Sequence, residues 1–195
     1  MENEVKEPAP KYQHISPDEY LAMERASDMK HEYYNGYVEA MSGASLKHNR
    51  IERNLSNHIG SFLNGNGCEW LPSNMRVSIP GRTAYLYPDS SIVCGDPELE
   101  DDRFDTLINP TVIFEILSPS TRKNDLTYKL SYYKQIASMR EYIMIDSAIR
   151  AVHIYRRQKD NSWSVEQFSA ASMGFFIETI SRFIELEDVY HITGL

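Results

Sequence analysis

The hydrophobic pattern of the chain predicts alternating helices and strands, and its densest apolar run lies at residues 112–117. Every position of this run is apolar except Glu115. Near-continuous apolar runs of this length are typical of strands that are covered on both faces. We therefore predict a buried central strand over residues 111–117 with one carboxylate in its middle. Because an unpaired buried charge is costly, we expect Glu115 to have a cationic partner or a metal ion.

Local signals define the elements on either side of this strand. Ser16 and Glu19 form a capping-box pattern that predicts a helix start. Asn35 and Gly36 predict a two-residue turn between strands, because both residue types tolerate positive φ. The predicted elements are helices over 16–25, 45–63 and 125–137, a hairpin over 30–42, strands over 69–79, 83–93, 141–146, 150–156 and 163–168, and a terminal strand with a helical turn over 183–192.

These elements predict an α/β fold, with a mixed central β-sheet flanked by helices and an N-terminal helix and β-hairpin. The sequence contains no internal repeat, linker or second domain, so we expect residues 15–195 to form a single domain. Residues 1–14 are polar and contain prolines, and we predict that they form a flexible arm.

Composition narrows the class of protein. Of the 195 residues, 42% are hydrophobic and 25% are charged, which is a globular balance. No apolar run approaches the roughly 20 residues of a membrane helix, and residues 1–10 lack the pattern of a signal peptide. The two cysteines, Cys68 and Cys94, are too few for a disulfide framework or a zinc site. We therefore predict a cytoplasmic protein with no membrane association.

The net charge of −8 argues against indiscriminate nucleic-acid binding. Much of the acidity lies in residues 96–105, which we predict to be a solvated loop between strands. This charge does not exclude a nuclease, because the field that matters is local and a bound divalent cation changes it.

Three polar residues around the central strand are candidates for chemistry. Asp89 precedes a β-rich run, Glu115 lies in the central strand, and Lys129 lies on the following amphipathic segment. If strands 83–93 and 111–117 are neighbours, the two carboxylates meet at one end of the sheet and suit magnesium. The lysine would then assist phosphodiester hydrolysis.

Each of these three residues also has a purely structural interpretation. Asp89 could form the turn that contains Pro88, and Glu115 could belong to a buried salt bridge. Lys129 could pair with Asp125, four residues earlier on the same helix face. Sequence alone leaves these alternatives open.

The order of several motifs resembles one known family. The motifs are Tyr87-Pro-Asp89, Phe114-Glu-Ile-Leu-Ser-Pro-Ser-Thr121, Asp125-Leu-Thr-Tyr-Lys129, the hairpin His31-Glu-Tyr-Tyr-Asn-Gly36, and His48 after it. Together they resemble the Uma2 family of restriction-endonuclease-like proteins, within the PD-(D/E)XK superfamily. The resemblance extends over nearly the whole chain from about residue 15.

This resemblance implies a restriction-endonuclease-like fold and a magnesium-dependent endonuclease that hydrolyses DNA, with manganese as a substitute ion. Asp89, Glu115 and the backbone carbonyl of Ile116 would hold the metal. The superfamily lysine usually lies two residues after the glutamate, where this chain has Leu117. The resemblance therefore implies that Lys129, on the next helix, takes its role.

Further residues around the site could have supporting roles. Glu32 matches an acidic position of the family, as an outer ligand or water-binding group, although a cross-strand surface pair explains it equally well. His48 could support the site from just outside the ligands or be structural. Arg122 and Lys123, between the strand and the helix, could contact substrate phosphate or belong to a solvated loop. A homodimer is expected if both DNA strands are to be cut.

The main alternative is a non-catalytic module that binds nucleic acid or protein with the same fold. The acidic balance and the displaced lysine favour this alternative, whereas the presence of all three polar groups in order favours the enzyme.

Overall fold

The computed structural model describes residues 14–118 and 125–195. Its helices are α1 (Pro17–Ala26), α2 (Leu46–Leu55), α3 (Ser61–Leu63), α4 (Leu130–Tyr133) and α5 (Leu186–Val189), with π-helical turns at Ser56–Gly60 and Asp125–Lys129 and a 3₁₀ turn at Pro80–Arg82. No helix in this part of the chain has the length and apolar character needed to cross a bilayer.

The strands of the described residues are β1 (His31–Tyr34), β2 (Tyr37–Ala40), β3 (Cys68–Pro72), β4 (Arg76–Ser78), β5 (Ala84–Leu86), β6 (Ser90–Cys94), β7 (Thr106–Leu107), β8 (Val112–Leu117), β9 (Glu141–Asp146), β10 (Ala151–Arg157), β11 (Trp163–Ser169), β12 (Gly174–Ile177) and β13 (Arg182–Glu185). They form a five-stranded sheet, β2-β1-β5-β4-β7, a six-stranded sheet, β11-β10-β9-β8-β6-β3, and a β12-β13 ribbon. Both larger sheets are mixed, because β4–β7 and β8–β9 are parallel pairs among antiparallel ones. The predicted mixed α/β class is confirmed.

Strand β8 lies between two layers of core, as its sequence predicts. Phe114 and Ile116 pack in the cluster that includes α2 and the β12-β13 ribbon, whereas Ile113 and Leu117 pack in the cluster that includes α4. All six residues of β8 are buried. Since strand side chains alternate between faces, Glu115 lies on the α4 side with Ile113 and Leu117.

The predicted N-terminal elements are confirmed. The Ser16 hydroxyl accepts a hydrogen bond from the Glu19 amide, and the Glu19 carboxylate accepts one from the Ser16 amide, which completes the capping box of α1. Asn35 and Gly36 have φ values of 45° and 96° in the turn between β1 and β2. A side chain at Gly36 would also collide with the imidazole ring of His14.

The predicted strands 69–79 and 83–93 are wrong as continuous elements. Each is divided into two short strands that belong to different sheets: β3 and β6 lie in the six-stranded sheet, and β4 and β5 in the five-stranded sheet. Proline explains one break, because Pro88 has no amide hydrogen for a ladder. The chain therefore crosses between the sheets at residues 87–89.

Other boundaries also differ from the sequence prediction. The helix predicted over 125–137 begins as a π turn and ends at Tyr133. Strand β12 was not predicted; its Gly174 lies so close to β13 that an added Cβ would collide with the Ile184 carbonyl oxygen. The predicted arm falls almost entirely on residues 1–13, outside the described residues, so the division into arm and single domain stays a prediction.

The two cysteines form a disulfide, which the cysteine count had not indicated. Cys68 on β3 is bonded to Cys94 on β6, and the two residues are directly opposite each other in the antiparallel register. This bond fastens β3, the edge strand of the six-stranded sheet, to its neighbour β6. Cysteine usage therefore no longer argues for the cytoplasm, and that localisation stays a prediction.

Reduction of this disulfide should destabilise the fold. The bond closes a chain segment with a sequence separation of 26 residues, and loop-closure entropy predicts a loss of about 3 kcal/mol in unfolding free energy. Urea unfolding of the oxidised protein and of the Cys68→Ser/Cys94→Ser variant measures the difference. Two thiols that react freely in the native, unreduced protein would contradict the pairing.

Candidate active site

The candidate site lies at the crossing between the two sheets. Residues 87–89 connect β5 to β6, and the pairing of Ser90 with Phe114 brings Asp89 beside the second half of β8. The predicted strands 83–93 and 111–117 are therefore neighbours through their parts β6 and β8. A cavity of about 700 Å³ opens there, and Asp89, Glu115, Ile116 and Lys129 all line it.

Lys129 and Glu115 form a buried ion pair. The Lys129 Nζ lies 3.1 Å from Glu115 Oε1, and the side chains are 9% and 5% exposed. The Tyr133 hydroxyl donates to the same oxygen at 3.1 Å. Lys129 and Tyr133 are four residues apart across the junction of the π turn and α4, so both reach the same face. Lys129 is therefore not a solvent-exposed helix residue.

Glu32 brings a second carboxylate to the same ammonium. Its Oε1 lies 2.9 Å from Lys129 Nζ and also accepts the backbone amide of Tyr87 at 3.0 Å. Its Oε2 accepts the Tyr34 hydroxyl at 2.6 Å. Glu32 comes from β1 in the five-stranded sheet, whereas Glu115 comes from β8 in the six-stranded sheet. One lysine thus connects carboxylates from both sheets.

The charges of this cluster are fixed by burial and by one another. Burial lowers the pKa of Lys129, but the negative charges of Glu115 and Glu32 more than offset this effect, so that its pKa lies well above the ordinary value. Burial, aided by Glu115, raises the pKa of Tyr133, and burial with Glu32 does the same for the pKa of Tyr34. The two carboxylates therefore favour the ammonium form of Lys129, and both tyrosines remain hydrogen-bond donors.

Asp89 is held by a different pair of partners. Its Oδ1 lies 2.8 Å from His48 Nε2, and its Oδ2 accepts the Ile116 backbone amide at 2.5 Å. His48 lies in the first turn of α2, where Ser45 caps the helix by accepting the His48 amide. The predicted neighbours Glu32 and His48 therefore do reach the site, one beside Lys129 and the other beside Asp89.

Sequence reasoning missed three residues that also belong to this region. Tyr34 supports Glu32, while Lys30 and Glu52 line the cavity. Burial, followed by the charge of Asp89, raises the pKa of Glu52. A helical signal for Glu52 was present in the sequence, because it follows His48 by one helical turn. The predicted phosphate contacts, Arg122 and Lys123, lie outside the described residues.

The two carboxylates on the cavity wall suit a small, hard cation. Magnesium commonly takes one or two protein carboxylates and completes its octahedron with water. Within residues 14–118 and 125–195, no group of three or more His, Cys, Asp or Glu side chains has the arrangement of a metal site. The oxygen donors of Asp89 and Glu115 are of the chemical type that magnesium and manganese prefer.

Comparison with known proteins places most of the chain in one family. Residues 17–177 match the Uma2 family, described as "Putative restriction endonuclease". Two similar proteins of Synechocystis sp. are named as uncharacterized: slr1290 is 30% identical over 164 residues, 84% of this chain and 85% of the relative, and sll1609 is 32% identical over 149 residues, 76% and 84% respectively.

A solved structure has the same fold. The crystal structure of "a putative nuclease belonging to DUF820" from Anabaena variabilis superimposes with a TM-score of 0.74 at 20% identity. The match covers 90% of this chain and 97% of that chain. The restriction-endonuclease-like fold expected from the motifs is confirmed.

Removal of the buried cation should be costly. Lys129→Met leaves two buried carboxylates without their shared partner, and we expect a loss of about 3–5 kcal/mol in unfolding free energy. In a Glu115→Gln background the same change should cost about 1–3 kcal/mol less, because one of the uncompensated charges is gone. Urea unfolding of wild type, of Lys129→Met, of Glu115→Gln and of the double variant measures this coupling. Additive effects would contradict the ion pair, and the exposed Lys159→Met provides a control that should stay within about 0.5 kcal/mol of wild type.

The pH dependence of stability provides a separate check. Because the folded-state pKa of Lys129 lies above its ordinary value of 10.5, its contribution to stability is complete below pH 10.5 and is lost as the pH rises through the folded-state value. The difference in unfolding free energy between wild type and Lys129→Met should therefore stay constant from about pH 7 to 10 and shrink above that range. If the stability advantage of wild type over Lys129→Met were already lost when the pH had risen to about 9, the result would contradict a raised pKa.

Proposed function

Because the chain belongs to the Uma2 family, we propose that it is a magnesium-dependent endonuclease that hydrolyses DNA phosphodiester bonds. The observation that carries this proposal is the convergence of Asp89, Glu115 and the Lys129 ammonium on one cavity. Magnesium-dependent phosphodiester hydrolysis uses groups of these two kinds: oxygen donors for a cation, and a fixed positive charge for the reacting phosphate.

The two carboxylates have distinct supports in this proposal. Asp89 and Glu115, with the backbone carbonyl of Ile116, would hold magnesium or manganese, which when bound polarises the phosphate and makes a coordinated water more acidic. His48 keeps Asp89 oriented through the contact at Oδ1, and Tyr133 does so for Glu115. Both supports fix side chains before substrate arrives, so less ordering remains to be done on binding.

Lys129 would stabilise the negative charge that develops on the phosphate. The carboxylates of Glu115 and Glu32 raise the pKa of Lys129, so it would act as a cation beside the phosphate. Glu115 and Glu32 hold its Nζ from two sides, which limits the rearrangement needed when the phosphate becomes more negative. An interaction of this kind is stronger in the transition state than in the ground state and therefore raises turnover.

A second candidate is a non-catalytic module that binds nucleic acid or protein. The contacts of Asp89 favour this alternative, because both of its carboxylate oxygens already have protein partners, His48 and the Ile116 amide. A metal ion would have to share these oxygens or displace a partner. The two candidates differ in whether DNA is cut when magnesium or manganese is added.

Asp89→Asn and Glu115→Gln should each lower the rate of plasmid nicking by at least about 100-fold, since even residues that only support metal ligands contribute about 10- to 100-fold. Both substitutions keep the side-chain shape and one acceptor oxygen, replace the other oxygen by an amide NH2 group, and remove the negative charge that would bind the metal. The assay is conversion of supercoiled plasmid in magnesium and in manganese, with identically purified proteins and with Glu98→Gln, in the exposed acidic loop, as the matched control.

The outcomes separate the two candidates. Equal nicking by wild type and both variants would trace the activity to another source and contradict the proposed site. DNA binding by wild type without cleavage in either metal would favour the non-catalytic module.

A further inference from the structure

Lys30 is a second lysine of the cavity, and it contacts a different set of groups from Lys129. It directly precedes β1, and its Nζ donates to the Ser73 carbonyl at 2.9 Å and lies 5.2 Å from the centre of the Tyr87 ring. These two contacts hold the ammonium close to the segment that carries Asp89. An ammonium has three N–H donors, and the Ser73 carbonyl accepts from one of them.

The electrostatic surroundings of Lys30 connect it to the Asp89 half of the site. Burial lowers its pKa, and the carboxylates of Glu52, Asp89 and Glu24 oppose that effect. Lys129, in contrast, interacts with Glu115 and Glu32. Lys30 thus shares the cavity with Asp89, whereas Lys129 contacts Glu115 directly.

Two methionines flank Lys30 at the same cavity. Met29 is 64% exposed and Met41 is 36% exposed, and both line the cavity. The Met41 amide donates to the Lys30 carbonyl at 2.9 Å, which fixes the two chain segments side by side at the base of the hairpin. Thioether side chains adapt to irregular apolar surfaces. A cation and two adaptable apolar side chains in one cavity match a nucleotide, in which a charged phosphate lies next to the sugar and the base.

We propose that Lys30 binds a backbone phosphate of the nucleic-acid strand on the Asp89 side of the cavity, with Met29 and Met41 in contact with the adjoining nucleoside. This inference rests on the proposed function and adds a substrate subsite to it. The cavity wall carries four carboxylates, Glu39, Glu52, Asp89 and Glu115, so an anionic strand needs two cations in the cavity to offset part of this charge. Lys129 supplies one and Lys30 the other.

A structural role for Lys30 would be different. In that case it would offset the charge of Glu52 and Asp89 and tether the Ser73 carbonyl, and its loss would lower stability without changing how DNA binding responds to salt. Phosphate contacts leave a specific signature, because each one adds roughly one unit to the slope of log Kd against log salt concentration.

The experiment measures binding of a fluorescent DNA duplex over a range of salt concentrations. Calcium replaces magnesium, because it has the same preference for oxygen ligands, and gels confirm that the DNA stays intact. Lys30→Gln should reduce the salt slope by about one and weaken binding. Lys30→Arg should keep the wild-type slope, as should Lys159→Gln, whose lysine is exposed in the turn between β10 and β11. Met41→Ala should weaken binding at an unchanged slope.

A gain of charge makes the test independent of the stability of Lys30→Gln. Met29→Lys changes an exposed side chain of the same cavity and should increase the slope by about one. An unchanged slope in both Lys30→Gln and Met29→Lys would overturn the subsite while leaving plasmid nicking, and thus the proposed function, intact. If Lys30→Gln and Lys159→Gln lowered the slope equally, the effect would come from the overall charge of the protein, and this result would also overturn the subsite. Wild-type protein that neither binds nor nicks DNA would reject the proposed function and the subsite together.

Discussion

The site depends on one buried cation that is shared by carboxylates from two sheets. Lys129 lies outside both sheets and contacts Glu32 on β1 and Glu115 on β8. Its ammonium therefore links the two sheets to each other. Desolvation of such a group is costly, and the cost is offset only while both carboxylates stay in contact. The same requirement that stabilises the fold therefore keeps a protonated ammonium at the cavity, whether or not substrate is bound.

The displaced lysine has a simple geometric explanation. Leu117 follows Glu115 on the same face of β8 and is 1% exposed in the core beneath α4. A lysine at residue 117 would have to extend from that core, whereas Lys129 enters the same space from the helical side. The π turn that ends at Lys129 leads directly into α4, and such turns are frequent at functional sites. In this chain the ammonium therefore reaches Glu115 from the helical side and not from β8.

Local signals predicted what depends on a few neighbouring residues, and the rest depended on distant contacts. The capping box of α1, the Asn35-Gly36 turn and the apolar run of β8 were all visible in the sequence, because each is determined within a few positions. The division of residues 69–93 between two sheets was not, because short strands with similar patterns do not reveal which sheet they join. For the site, Asp89, Glu115 and Lys129 were predicted from motif order, whereas the contact of Lys129 with Glu32, far earlier in the chain, required the assembled fold.

The disulfide has a topological consequence for the segment that carries Asp89. The chain leaves the six-stranded sheet after β3, which begins at Cys68, contributes β4 and β5 to the other sheet, and returns through β6 to Cys94. The whole excursion is thus a covalent ring that begins and ends on adjacent strands. A protease cut at the Pro80–Arg82 turn would open the ring without releasing either part, so the nicked molecule would remain one covalent unit until a reductant separated it. Asp89 would stay next to β6, which the disulfide tethers beside β3.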